Sequence, residues 1–416
     1  MRVAGVVMVG CALAGAACAQ VRAVAGTQWT ATWAASPAGP PGEGDRSPVT
    51  ILHDETLREV VHTSIGGTQV RVRISNAFGV EPLRLGAAHV ALRSEGSKLM
   101  AGSDRTLLFG GAAGITVPAG ASVLSDAVAL NVPALSDVAV SLYVPQTMQA
   151  STLHYGAQQT SYAAAGNQAA QIDLAAPKSM RSWPFLTALE VSGAKRQRAI
   201  VALGSSTTDG ARSTMDTNHR WTDILAARLQ HDAQLNNLGV LNEGIGGNRV
   251  LHDGRGPSAA AFGVSASARF DRDVLAQSNV GYLIFFEGGN DINHPGASAP
   301  LSETITADDL IAGYRQMIVR AHGHGIRVIG ATITPFEGVN KPEDTASREA
   351  MRAAVNQWIM TTHETDGVID FSRALADPAH PTRIDARFDS GDHLHPNDAG
   401  YKAMGDAIDL KLFRTH

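Results

Sequence analysis

The chain has 416 residues, 44% apolar and 18% charged, with 42 Gly, 18 Pro and 5% aromatics. Such a composition belongs to a soluble globular protein and excludes collagen, wholesale disorder and a helical membrane bundle. The formal charge of −5, with no long run of one sign, offers no footprint for nucleic acid or an anionic membrane surface.

At roughly 100–200 residues per domain, the length predicts two domains, each able to bury a core. Both cysteines, Cys11 and Cys18, lie in the first 18 residues. They belong to a stretch that opens with Met1-Arg2, continues almost wholly apolar from Val3 to Ala17, and reaches the small residues Ala17-Cys18-Ala19. This reads as a signal peptide over 1–19, hence export; the apolar run of about 15 residues is shorter than the ~20 that span a bilayer, so no stable membrane insertion is expected. Lipidation at Cys11 or Cys18 is the alternative reading of the same stretch.

From 26 to 166 the pattern is short alternating segments punctuated by Gly, Pro, Asn and Ser. In Gln69-Val70-Arg71-Val72-Arg73-Ile74-Ser75 the apolar residues fall on one face, as in a half-buried antiparallel strand. Leu83 to Leu92, Gly114 to Val117 and Val138 to Val144 are similar, with turn signals between them. About eight strands at this spacing predict an all-β sandwich, with a jelly roll as one arrangement. The polar, Ala-rich stretch 167–197 reads as a linker.

From 198 to 416 strands alternate with helices. Ala199 to Leu203, Tyr282 to Phe286, Val328 to Ile333 and Val368 to Phe371 are continuous apolar runs, suited to strands buried on both faces. Trp221, Ile224, Leu225 and Leu229 share one helical face, as do Leu310, Ile311, Tyr314, Met317, Ile318 and Ala321. The prediction is an α/β domain with a doubly wound parallel sheet, its chemistry beyond the C-terminal strand ends.

Four loops at those ends carry reactive or donor groups. The first strand runs into Gly204-Ser205-Ser206-Thr207-Thr208-Asp209-Gly210, where a Ser at the start of a turn can use backbone N–H groups. Asn242-Glu243-Gly244-Ile245-Gly246-Gly247-Asn248 and Gly288-Gly289-Asn290-Asp291 offer backbone and amide N–H donors of the type that hold an oxyanion. Near the C-terminus, Asp389-Ser390-Gly391-Asp392-His393-Leu394-His395-Pro396-Asn397 places an Asp three residues before a His, close enough to orient the imidazole. Taken singly, such loops are more often turn chemistry or a helix cap than catalytic. Asp392, His393 and His395 are also metal-ligand types, but no spaced partner completes a set.

In chain order these loops present Ser, Gly, Asn and Asp-x-x-His. The series resembles the SGNH hydrolases, or GDSL esterases and lipases, over roughly residues 197–414. That resemblance implies a flavodoxin-like α/β/α fold, Ser206 as nucleophile, Asp392 and His395 as its triad partners, and Ser206, Gly247 and Asn290 as the oxyanion hole. It implies no metal and no cofactor. One position departs from the family: Ser205 stands where Gly-Asp-Ser has Asp, which leaves the triad intact and puts two serines side by side. The α/β-hydrolase plan lacks its Gly-x-Ser-x-Gly elbow here.

Other residues carry two readings. Glu287 either lines the pocket or is held by strand-end N–H groups; Asp291 braces its loop; Arg220 and Arg249 contact substrate or support the fold; Trp221 belongs to the core. Trp29, Trp33 and Tyr143 lack a spacing that marks a carbohydrate platform. The expected function is an exported serine esterase acting on a small-molecule or polysaccharide ester, with short acyl groups on carbohydrate favoured over lipid esters. A glycan-binding protein without catalysis and a metal-dependent hydrolase are the alternatives of other classes.

Overall fold

The computed structural model describes residues 28–193, 196–339 and 342–414. The expected signal peptide, with Cys11 and Cys18, lies outside the described residues. No helix among those described is long and apolar enough to cross a membrane.

The N-terminal part is strand-rich and antiparallel. One sheet of five strands contains Thr30–Ala34, Leu186–Ser192, Gly67–Ser75 and Val128–Val132; another of seven contains Ile51–His62, Asp137–Gln149 and Ala87–Glu95. Side chains from both enter one apolar cluster, with Val70, Val72, Ile74 and Leu189 from the first and Leu57, Val61, Val140 and Leu142 from the second. The alternation predicted from Gln69 to Ser75 therefore sets which face of that strand is core. On its other face Gln69 is exposed, while Arg71 Nε donates to Glu190 Oε2 at 2.7 Å and Arg73 Nη2 to Glu190 Oε1 at 3.0 Å, and Glu190 is fully buried.

The stretch 167–197 is not a linker. It carries Lys178–Met180, Trp183–Pro184 and Leu186–Ser192, and the last of these is paired on both sides, to Thr30–Ala34 and to Gly67–Ser75. The polar residues from Asn167 to Arg181 are mostly exposed, whereas Thr187, Glu190 and Ser192 of the last strand are buried.

In the C-terminal part five strands are all parallel, in the order Leu238–Gly244, Arg198–Gly204, Val280–Phe286, Arg327–Ala331, Gly367–Ile369. Alternate residues of one strand enter different clusters. Ala199, Val201 and Leu203 meet Leu310, Tyr314 and Met317 of the helix Ala307–Gly323. Ile200 and Ala202 meet Trp221, Leu225 and Leu229 of Trp221–His231 and Tyr401 and Met404 of Asp398–Ala407. Burial on both faces accounts for the unbroken apolar runs in the sequence.

Gly204 is in register with both Gly244 and Phe286, so three loops leave the sheet side by side. The chain moves from Arg198–Gly204 to one neighbour and then crosses to the other, so the strand order reverses at Arg198–Gly204, the kind of point where open sheets carry their crevice. The edge strand Leu238–Gly244 is covered by the antiparallel part: Val240 N donates to Ser64 Oγ at 2.9 Å, and Ala31, Ala34 and Ala188 join the parallel sheet's own cluster. Covering an edge removes a site of unwanted strand pairing.

Candidate active site

The strand Arg198–Gly204 ends where a single helical turn, Ser206–Asp209, begins. Ser206 opens that turn. The other end of the site is a tight loop made by its own carboxylates: Asp389 Oδ1 accepts from Gly391 N at 2.8 Å and His393 N at 3.0 Å. Asp392 Oδ1 then accepts from Leu394 N at 3.1 Å and His395 N at 2.8 Å. His393 adopts a left-handed φ of 62° between them. Asn397, predicted as part of a cap, is the N-cap of Asp398–Ala407 and accepts from Gly400 N.

The folded loop puts three groups in line. His395 Nδ1 lies 2.8 Å from Asp392 Oδ2, and His395 Nε2 lies 2.9 Å from Ser206 Oγ. A carboxylate only accepts, so the Nδ1 position carries the proton and Nε2 is left to accept from the Ser206 hydroxyl. Burial works against the charge on Asp392, but the backbone and imidazole N–H groups of His395 outweigh it and hold the carboxyl well below the usual range. Arg212 Nε adds a second donor to Asp392 Oδ2, at 3.1 Å. Ser205 makes no bond to His395; it neighbours the Glu287 carboxyl.

The two loops expected to hold the donors follow the strands paired on either side of Arg198–Gly204. Gly247 has a φ of 75°, and a Cβ there would lie 2.0 Å from Phe262 Cδ1, so a side chain is excluded by both backbone and ring. Asn290 is buried in the turn Gly289–Asn293 and spends one amide N–H on Asn248 O at 2.9 Å, leaving its second N–H. Asp291 braces the same loop, accepting from Val250 N at 2.8 Å and Leu251 N at 3.1 Å.

Beneath the loops lies Arg269, which the sequence did not mark. Its side chain is fully buried, with Nη2 donating to Gly204 O at 3.0 Å, Nη1 to Glu243 O at 2.8 Å and Nε to Asn248 Oδ1 at 2.9 Å. One guanidinium thus joins the base of the Ser206 turn, the strand leading to Gly247, and the residue whose carbonyl holds Asn290. Nη1 also reaches Ser36 Oγ at 2.7 Å, from the antiparallel part, and Asp273 Oδ2 at 3.1 Å. Glu287 fits the strand-end reading, with the Gly288 N–H and the Ser205 hydroxyl beside its carboxyl. It is buried 3.6 Å from Arg269 Nη2, and burial raises its pKa well above the ordinary range against the pull of that arginine.

The antiparallel part makes one more approach. His154 Nε2 lies 3.0 Å from Asp209 Oδ1 and His154 Nδ1 lies 3.0 Å from Ser36 O. Burial disfavours a charged His154, yet Asp209 outweighs it and draws the imidazole pKa upward. Arg220 holds Asp209 O at 3.0 Å and Arg249 is buried against Glu303 at 2.7 Å, so both support the fold. Trp221 and Trp33 are core residues.

His393 turns to Asp389 at 2.7 Å while His395 turns to Asp392 and Ser206, so the two imidazoles serve different partners. Among the described residues no group of three His, Cys, Asp or Glu side chains is arranged to hold a metal ion.

Residues 202–403 match the GDSL-like lipase/acylhydrolase family. Similar solved structures include a catalytic mutant of an acetylxylan esterase from Geobacillus stearothermophilus, at 19% identity over 53% of this chain and 95% of that one with a TM-score of 0.40. A second is an acetyl xylan esterase at 17% identity over 50% of this chain and 96% of that one, TM-score 0.38. A third is a GDSL-like lipase from Bacteroides thetaiotaomicron at 16% identity over 53% and 90%, TM-score 0.36. No curated protein matches the sequence. The segment 202–403, which holds Ser206, Gly247, Asn290, Asp392 and His395, is a GDSL-like lipase/acylhydrolase domain.

Proposed function

We propose that the protein is an exported serine esterase that hydrolyses carboxylic esters with short acyl groups, such as acetyl groups on carbohydrate. The observation that carries this reading is the continuous line Ser206 Oγ, His395 Nε2, His395 Nδ1, Asp392 Oδ2, with separations of 2.9 and 2.8 Å. Ser206 Oγ attacks the ester carbonyl as His395 Nε2 takes its proton, and Asp392 stabilises the imidazolium. The oxyanion is received by the N–H groups of Ser206 and Gly247 and by the free amide N–H of Asn290. His395 then gives its proton to the leaving alcohol, and the acyl-enzyme forms. Water, deprotonated by His395, attacks that ester; the acid leaves and Ser206 regains its proton.

In this reading residues 1–19 direct export and are removed. The antiparallel part, a β-sandwich packed on a doubly wound hydrolase domain, supports the site. No metal or organic cofactor takes part.

The test is hydrolysis of p-nitrophenyl acetate by wild type and Ser206→Ala. Wild type is active and Ser206→Ala loses on the order of 10⁴–10⁶ in kcat, as loss of a triad nucleophile does. Wild-type rates in Ser206→Ala would refute the mechanism, and inhibition by a chelator would refute the metal-free reading.

A further inference from the structure

We propose that the acyl group of the ester occupies a cavity at the seam between the antiparallel and parallel parts, and that this cavity sets the acyl-chain length. The inference rests on the serine-esterase reading. The cavity, of about 240 Å³, is walled by Ala38, Pro48 and Tyr155 from one part and by Ile245, Gly246 and Phe262 from the other.

Three observations tie it to the reacting centre. Asp209 also borders it and lies three residues after Ser206 in the same helical turn, the spacing that puts two residues on one side of a helix. Gly246 precedes the oxyanion donor Gly247, and Phe262 is the ring that closes on Gly247. The leaving alcohol must lie toward His395, which protonates it, and no residue of the 389–396 loop lines the cavity. The acyl side of the ester is what remains to fill it.

The lining chemistry names the class of group. His154 has both nitrogens engaged, on Asp209 and on Ser36 O; Tyr155 Oη donates to Gly39 O at 2.8 Å; Ser36 Oγ lies between Glu243 and Arg269. With those groups already paired, the walls offer mainly aliphatic and aromatic surface, which gains by burying hydrocarbon. The Asp209 carboxylate disfavours an anionic acyl group. The volume is below the ~300–1,000 Å³ of pockets for drug-sized ligands, so the occupant is an uncharged acyl chain of a few carbons, and a fatty-acid tail does not fit.

Gly246 gives a direct probe, because an added Cβ there meets only Asp209 Oδ2, at 3.8 Å. Kinetics on p-nitrophenyl acetate, butyrate, hexanoate and palmitate are compared for wild type, Gly246→Leu, Ala38→Leu and Phe262→Ala, with folding followed by Tm. Wild type prefers butyrate or hexanoate to palmitate. Gly246→Leu and Ala38→Leu, filling the cavity from the parallel and the antiparallel part, lower the ratio of kcat/KM for hexanoate over acetate roughly tenfold or more, and Phe262→Ala raises it. An unchanged ratio in the folded variants, or a wild type fastest on palmitate, overturns the assignment. A wild type inert on all four esters overturns the esterase reading, and the acyl site falls with it.

Discussion

The two halves of this chain solve the problem of burial differently. The antiparallel sheets alternate: Val70, Val72 and Ile74 enter the core while Arg71 and Arg73 turn away and bind the buried Glu190. The parallel strands have no such division, and successive residues of Arg198–Gly204 feed two clusters on opposite faces. Chemistry follows from that difference. A strand with both faces occupied has only its end free, and in register the ends of three strands deliver their loops to one place. The antiparallel part places no residue in the Ser206–His395–Asp392 line; it reaches the site through Ser36 and His154, which hold the undersides of the loops.

If the parallel half carries the reaction, the largest losses belong to its loops. His395→Ala loses on the order of 10⁴ or more in kcat on p-nitrophenyl acetate, comparable to Ser206→Ala. Asn290→Ala takes away a proposed oxyanion donor and is expected to lower kcat by about 10²–10³ with a smaller effect on KM. Equal losses in KM and none in kcat would assign Asn290 to ground-state binding.

Arg269 joins the two halves, reaching Gly204 O in one and Ser36 Oγ in the other. Arg269→Met lowers kcat more than KM changes, since three loop bases lose one common anchor; Asp273 keeps Arg272, but the buried Glu287 loses its cation, at a cost of about 3–5 kcal/mol. Arg269→Lys restores the charge without the fork of donors, so it recovers stability better than kcat. Parallel recovery of both would reduce Arg269 to a structural ion pair.

Leu142→Ala breaks the comparison if the antiparallel core governs chemistry. It sits in the N-terminal cluster, fully buried, and costs about 2–5 kcal/mol in stability while kcat stays near wild type below the melting transition. A large fall in kcat at a temperature where the variant is folded would make that core part of the machinery.

The smallest effect is on pH. Burial raises the Asp291 carboxyl from 3.8 to about 6, against the N–H groups of Val250 and Leu251. A carboxyl raised in the folded state stabilises most while protonated. Its contribution is complete below about pH 4 and is lost as pH rises through about 6. Asp291→Asn removes that slope from urea unfolding midpoints measured between pH 4 and 7; an unchanged slope would place the titration elsewhere.

How far the sequence reveals this arrangement depends on where a residue's partners lie. The parallel strands are legible as unbroken apolar runs. The Asp392-x-x-His395 loop is legible because its bonds are local. Strand Leu186–Ser192 was hidden by Glu190, whose cations come from a distant strand. Arg269 gave no signal because two of its partners are backbone carbonyls, Gly204 O and Glu243 O, which no residue type announces. His154 is 55 positions from Asp209, with nothing in the intervening pattern to pair them.

Treatment with diethyl p-nitrophenyl phosphate, followed by peptide mass mapping, tests the central assignment most directly, since the two adjacent serines fall in one peptide and fragment ions separate them. The expected result is loss of activity with one diethylphosphoryl group on Ser206, and no labelling in His395→Ala. A group on Ser205, or full inhibition with Ser206 unmodified, would contradict it.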